Sequence, residues 1–526
     1  MALVSLGLSC NSCGQQPNRK TAAGVLSRDM TVPGNFSGQS EVVFDSTQIA
    51  PFLKRYPAFQ TYAGEIDRFY HNRNYAYAWF ENGALIEQAG NLVNRMLNLA
   101  NEGIAPPAPY PKELDSLIHT WTKGKPDLRT ELMLTAQYFV YARLAWQGLG
   151  PAVSRSAGWY LPRKRVDYAT YLDSLLKAPA TPEPVYRQYD LLRSFLRKYR
   201  NLDEQYRWDK LPMPLKSLRP GDTAAVIPSV RARLHHLGDL RGDTLSTALN
   251  LELQTALRQF QARHGLDTGG LLTKETMAEL NVPLKSRIEQ LMVNMERSRW
   301  LPVRLDADYL GVNIPEFKLH VYHADSLLWS CNVVVGQTVH PTSVFYGEIK
   351  YVVFSPYWDV PQSIVRKEIL PAMKKHPDYL AAHHMQITGY AAGLPVIRQL
   401  PGPDNSLGLV KFLLPNSFHI YLHDTPAKSL FGETARAFSH GCIRVQEPAK
   451  LAAFLLNGQQ GWDAEKIRQA MHAGKERYVT LPRKVPVFIA YLTAFTDRNG
   501  RLNFRKDIYQ LDKELASMLL IKTVDY

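Results

Sequence analysis

Apolar positions recur along this chain with two periods, and the switch between them divides it. From about residue 46 to 215 the spacing is helical. Leu85, Ala89, Leu92, Val93, Met96 and Leu99 form one such set. Leu132, Leu134, Tyr138, Phe139, Tyr141 and Leu144 form another, with Pro106, Pro107, Pro109 and Pro111 breaking the chain between them. A shorter helical unit opens at Pro220-Gly221-Asp222. Its first helix carries Val230, Leu234 and Leu237 and stops at Gly238, its second carries Leu249, Leu253, Ala256, Leu257 and Phe260, and its third runs from Thr273 to Leu280-Asn281. A long helix is predicted over 283–301, with Ile288, Leu291, Met292 and Met295 on its apolar face. Beyond Trp300-Leu301-Pro302 the segments become short, β-branched and bounded by turns: 309–314, 319–322, 331–336 and 351–354. These predict a mainly antiparallel sheet. Residues 361–405 interrupt it with what reads as helix and loop, including His383-His384, before strands resume at 409–412 and 419–422. A helix follows with Leu451, Phe454 and Leu455, and 487–492 and 502–504 read as closing strands. The fold class predicted is a multidomain α+β chain: an all-α scaffold, a small three-helix unit and a β-rich domain with a helical and loop insertion.

Length agrees with that division, since 526 residues exceed one hydrophobic core and suggest three or four folding units. A hydrophobic content of 45% is that of a globular chain. The net charge of +14 favours an anionic partner: nucleic acid, anionic lipid or a carboxylate-rich cell wall. No recognition helix, zinc finger or aromatic-basic strand favours nucleic acid. Four cysteines, Cys10, Cys13, Cys331 and Cys442, make no disulfide framework. Cys331 lies in an apolar strand and reads as a small buried hydrophobe. The opening Met1 to Cys10 is short and apolar, then turns polar. It resembles the tail of a bacterial lipoprotein signal with Cys10 as the lipidated residue; a truncated export signal explains it equally well. Either reading predicts export to the periplasm or cell envelope. Residues 11–45, rich in Gly, Ser, Asn and Gln, read as a tether.

The chemistry concentrates in Ser439-His440-Gly441-Cys442-Ile443-Arg444-Val445 and in His423, upstream in Tyr421-Leu422-His423-Asp424-Thr425-Pro426. Glycine beside cysteine lets the backbone turn so that a thiol and amide N–H groups converge on one point. Were the two segments neighbours on a sheet, His423 would reach Cys442, the arrangement of a cysteine nucleophile with its base, and hence of acyl transfer. A free thiol is mostly protonated at neutral pH, so a thiolate–imidazolium pair is expected. The N–H groups of Gly441 and Cys442 are the candidate oxyanion donors. His440 either orients this loop and stabilises charge or is a plain turn residue. Arg444 holds a substrate carboxylate or braces the loop, and Ser439 hydrogen-bonds within the turn. Tyr357 and Trp358 either line a substrate channel or pack in the core. A zinc site from His423, His440 and Cys442 lacks a fourth ligand at the usual spacing, and His383-His384 read as exposed residues of the insertion. No metal or cofactor is implied.

Over 309–460 the chain resembles an L,D-transpeptidase catalytic domain of the YkuD type. The likeness rests on His423, its spacing to Ser439-His440-Gly441-Cys442-Ile443-Arg444, and Gly408 with the strand after it. Phe354-Ser355-Pro356-Tyr357-Trp358-Asp359-Val360-Pro361, Asn405-Ser406-Leu407-Gly408-Leu409-Val410-Lys411-Phe412 and Tyr421-Leu422-His423-Asp424-Thr425-Pro426 point to its large subclass. Phe260-Gln261, His264-Gly265-Leu266, Gly269-Gly270, Thr276 and Leu280-Asn281 resemble a three-helix peptidoglycan-binding domain. The resemblance implies a signal and tether over 1–45, a helical scaffold over 46–218 and a peptidoglycan-binding domain over 219–282. A connecting helix over 283–308, a catalytic domain over 309–482 with its lid at 361–405, and completing C-terminal strands and helix over 483–526 follow. It further implies that Cys442 attacks a tetrapeptide stem at the L-centre of its third residue, expels the terminal D-alanine and passes the acyl group to a side-chain amine of a second stem, a 3→3 cross-link. With water as acceptor the same residues would make an L,D-carboxypeptidase or cross-link hydrolase. A peptidoglycan-binding structural protein is the non-enzymatic alternative. The implied partners are stem peptides, glycan and the envelope membrane surface, not nucleic acid, and carbapenems would acylate Cys442.

Overall fold

The computed structural model describes residues 42–120, 124–178, 181–302, 307–324 and 326–520. The signal-like segment with Cys10 and Cys13, and nearly all of the tether, fall outside the described residues.

The N-terminal helices gather around Leu128–Tyr141, whose residues from Thr130 to Tyr141 are all buried. A helix buried on every side, with Glu131, Thr135 and Gln137 hydrogen-bonded to neighbouring segments, belongs at the centre of a bundle, and its neighbours, such as Glu87–Leu97 and Gln188–Gln205, bury one face each. The expected all-α character needs correction. Phe80–Glu81 and Ala84–Leu85 form a short hairpin, and Trp159–Tyr160 pairs in parallel with Val344 and Phe345 of the C-terminal sheet. Trp159 is too large an apolar group to leave in water. It sits in the β-domain core with its ring 5.5 Å from that of Trp300.

Residues 211–280 have a core of their own, built on helices Ile227–Leu237, Leu251–Arg263 and Lys274–Leu280. Leu211 and Leu218 belong to it, so the unit begins before the boundary expected at 219. Gly238 ends the first helix at φ +91°, a conformation only glycine adopts freely.

Helix Leu284–Trp300 joins the units, burying apolar residues in both large cores. The β-domain that follows is a sheet closed on itself. Strand Val410–Leu413 pairs with Leu422–His423, which pairs in parallel with Ile443–Val445. The path continues through Ser326–Gly336, Lys318–His323 and Asp308–Asn313 to Arg477–Ala490, then to Val344–Phe354 and back to Val410–Leu413. Most pairings are antiparallel. The boundary expected at 482/483 falls inside the single strand Arg477–Ala490, so residues 483–490 belong to this sheet. The hairpin Ala494–Thr496 and Leu502–Phe504 turns back into the helical core, where Gln188 exchanges two 2.8 Å hydrogen bonds with the Thr496 backbone.

The insertion also differs from the reading of helix and loop. After short helical segments from Gln362 to Ala382, strands Met385–Ala391 and Leu394–Gln399 form a hairpin, and the second pairs with Trp358–Asp359. Val360, Val365, Ile369 and Ile397 give it a separate small core. Met385–Ala391 is largely exposed on both faces, so its sequence lacks the alternation that marks a half-buried strand.

Candidate active site

One register creates the site. Leu422 lies opposite Ile443 and His423 opposite Arg444 in a parallel pair of strands. Leu422 and Ile443 are fully buried in the core. Side chains alternate along a strand, so Tyr421, His423, Cys442 and Arg444 share the other face. Cys442 extends that face by one position, beside Tyr421.

The thiol lies 3.7 Å from the His419 carbonyl and is bonded by Tyr421 through both backbone and hydroxyl. Burial pushes the Cys442 thiol up; Tyr421 and the Arg444 guanidinium oppose this. The His423 ring is buried, with Nδ1 2.5 Å from the Asp424 carbonyl. Nδ1–H donating there leaves Nε2 as the lone-pair nitrogen, an assignment that follows from the hydrogen bond. Burial, reinforced by Arg444, lowers His423 to about 4, against the carbonyls of Asp424 and Leu407. The expected thiolate–imidazolium pair is therefore not the resting state. Both groups rest neutral at pH 7, on one face of neighbouring strands.

Asp424 is held in turn. Its carboxylate accepts from the Leu409 N–H at 2.9 Å and pairs with Lys428. Gly408, at φ +62°, faces it so closely that a Cβ would lie 2.5 Å from the Asp424 carboxyl. That approach is the physical reason for the glycine in the 405–408 turn.

The cysteine loop is braced from within. Ser439 Oγ donates to the Cys442 carbonyl at 2.6 Å and accepts the Gly441 N–H at 3.1 Å. Thr342 Oγ1 donates to the Gly441 carbonyl at 2.8 Å. Ser439 thus occupies the Gly441 N–H, one of the two expected oxyanion donors. His440 turns away from this centre. Its Nε2 lies 2.9 Å from Glu368 of the insertion, and its ring packs 5.2 Å from that of His340. Arg444 Nε is buried without a hydrogen-bond partner among the described residues.

Tyr357 and Trp358 stand at the root of the insertion. The Tyr357 N–H donates to Glu476 at 3.0 Å and Arg398 lies over its ring, whereas Trp358 packs on the insertion's own core. His383 and His384 are exposed. Cys331 is buried, its thiol pushed up to about 11 by desolvation, and plays no part in the site. Sequence reasoning passed over Tyr421 and Glu368. The first was within reach, because two residues before His423 on a strand is the same face; the second depends on how the insertion folds back.

Residues 307–468 match the family described as the L,D-transpeptidase catalytic domain, YkuD, and residues 64–196 match the Scaffold domain. A curated Haemophilus influenzae protein named "Putative L,D-transpeptidase" is 32% identical over 243 residues, covering 43% of this chain and 49% of that protein. The chain thus spans about half the length of that curated relative. An L,D-transpeptidase crystal structure from Xylanimonas cellulosilytica is 12% identical, covering 53% of this chain and 100% of that one, with a TM-score of 0.17. One from Stackebrandtia nassauensis is 14% identical, covering 53% and 97%, with a TM-score of 0.22. At such TM-scores these two likenesses carry no further argument.

Proposed function

The chain belongs to the L,D-transpeptidase family through its YkuD catalytic domain and adjoining scaffold domain, and on that premise we propose that Cys442 is the nucleophile and His423 the base of acyl transfer between peptidoglycan stems. The observation that carries this reading is the parallel register that sets His423 and Cys442 on one face of the sheet, away from the core. In the first step Cys442 Sγ bonds to the stem carbonyl carbon while its proton passes to His423. The carbonyl oxygen becomes an oxyanion near the Cys442 N–H, the Tyr421 hydroxyl and Arg444. Collapse breaks the bond to the terminal D-alanine, whose amine leaves with the proton from His423. An amine of a second stem then attacks the thioester, the C–S bond breaks, and the thiol is restored. A neutral imidazole suits both directions, since it can take a proton and return it.

Three features support the substrate side. Arg444, half-buried on the same face as Cys442, brings a positive charge that suits a stem carboxylate. The insertion meets the cysteine loop through Glu368 and His440, where a cover would delay water reaching the thioester. The unit of 211–280 has a core of its own, as a separate wall-binding module would need. The substrate, as a wall component, also implies an extracytoplasmic site of action. No helix among the described residues is long and apolar enough to cross a membrane.

Muropeptide mass spectrometry after incubation with purified protein tests the reading. Cross-linked dimers are expected from the native chain and none from Cys442→Ala, whose circular dichroism should match the native. Shortened stems alone would make the enzyme a carboxypeptidase, unchanged substrate would leave a binding protein, and dimers from the alanine variant would remove Cys442 as nucleophile.

A further inference from the structure

A cavity of about 820 Å³ lies between the helical scaffold and the edge of the catalytic sheet, within the usual size of ligand sites. Its charge is one-sided. Arg143, Arg155, Arg163, Lys164 and Arg165 line it, and Glu65 is the single carboxylate among the lining residues. Glu65 pairs with Arg143 at 3.3 Å. The other four cations form no salt bridge among the described residues, although Glu296 lies near Arg163 and Lys164, and Glu183 near Lys164. Arg163 donates to the carbonyls of Leu149 and Gln147, and Lys164 to that of Pro184, while the side chains of Arg155 and Arg165 are exposed. Burial, with Arg299 and Arg163 close by, lowers Lys164 to about 7. Even with these carboxylates nearby, the lining itself carries five cations against one carboxylate, a balance that favours an anionic ligand.

One wall of the cavity touches the turn next to the thiol. Tyr160, on its wall, lies 5.3 Å ring to ring from Phe418. Phe418 is next in the chain to His419, whose carbonyl faces Cys442 Sγ at 3.7 Å. A ligand anchored in the cavity could therefore extend over the 418–419 turn to the thiol.

We propose that this cavity is an anchoring subsite for the carboxylates of an acidic peptide substrate, built by the scaffold and aligned with Cys442. The assignment of that peptide as a wall stem rests on the function proposed above. The scaffold thereby acquires a role in substrate selection in addition to support. Amidated stems, which lack those charges, should be poorer substrates.

The test uses the full chain with Cys442→Ala, so that binding is read without turnover. The probe is a fluorescein-labelled tetrapeptide stem with free carboxylates, beside its carboxamide counterpart. Arg155→Glu/Arg165→Glu changes two exposed residues that make no side-chain hydrogen bond or salt bridge among the described residues, and Lys54→Glu/Lys112→Glu makes the same charge change on exposed sites outside the cavity lining. Anisotropy should show affinity falling ~10-fold or more in the first pair and little in the second, with the carboxamide binding weakly throughout. Equal loss in both pairs, or equal binding of the two peptides, would overturn the proposal. Displacement by inorganic pyrophosphate at far lower concentration than by unlabelled peptide would also overturn it, as the mark of a phosphate site. With Cys442 restored, cross-linked product at an unchanged KM in the 155/165 variant refutes the subsite and leaves the acyl-transfer reading intact. Charge-dependent binding without any product leaves the subsite and refutes that reading.

Discussion

Burial acts on Cys442 and His423 in opposite directions, and this sets how the site should respond to pH. The base must be unprotonated to take the thiol proton, so kcat/KM is retained above the His423 pKa and lost as pH falls through it. With His423 lowered to about 4, the acid limb of the pH–rate profile should lie near that value. A limb near the ordinary imidazole range, about 6.5, would show that the ring is more exposed than described. Gly441 supplies a second residue-scale expectation. Its φ is +111°, yet an added Cβ would meet nothing nearer than 3.8 Å, so the penalty for Gly441→Ala is conformational. About 1–3 kcal/mol of strain should fall on the nucleophile loop. Thioester formation in this variant, followed by intact-protein mass, is expected to slow ~10-fold or more while the fold remains. The residue types of this centre were legible because glycine beside cysteine, with a nearby histidine, has few structural uses. Their protonation states were not legible. Those depend on how deeply the face is buried, which residue 423 alone does not encode.

The contact between the insertion and the cysteine loop belongs to the scale of elements. The His440–Glu368 pair is half exposed, so Glu368→Ala should change stability by less than about 1 kcal/mol. If the insertion serves as a cover, that variant should yield more shortened stems relative to cross-linked dimers, measured as a product ratio by mass spectrometry. An unchanged ratio would separate the contact from acceptor choice. The elements themselves were read unevenly. Helices with one wet face announce themselves through periodicity, as do strands such as Lys318–His323, whose buried and half-buried positions alternate. The hairpin of the insertion escaped because Met385–Ala391 is wet on both faces. A local clue existed in its turn, where Ala392 at φ +49° and Gly393 at φ +74° adopt the left-handed pair typical of tight hairpins.

For the whole molecule, helix Leu284–Trp300 is bound to the scaffold through buried charge and to the catalytic sheet through apolar packing. Arg299 is 1% exposed and donates to the carbonyls of Ala145 and Glu102 and to the Glu296 carboxylate. Glu296 also accepts the Leu149 N–H. Arg299→Ala would leave Glu296 buried without its cation, and a loss of ~3–5 kcal/mol is expected in urea unfolding. A smaller loss would mean that water enters beside Glu296. The periodicity of this helix was readable, but the charged residues that weld it to its neighbours were not, since Glu296, Arg297 and Arg299 look like a solvated face in sequence. The sequence by itself determined the order of helical and strand-rich segments and the residues proposed for acyl transfer, because these depend on nearest neighbours and side-chain chemistry. Closure of the sheet, the strand that Trp159 adds to it, and the basic cavity that results were decided only by tertiary structure. Each joins segments far apart in the chain, and only packing brings such segments into contact.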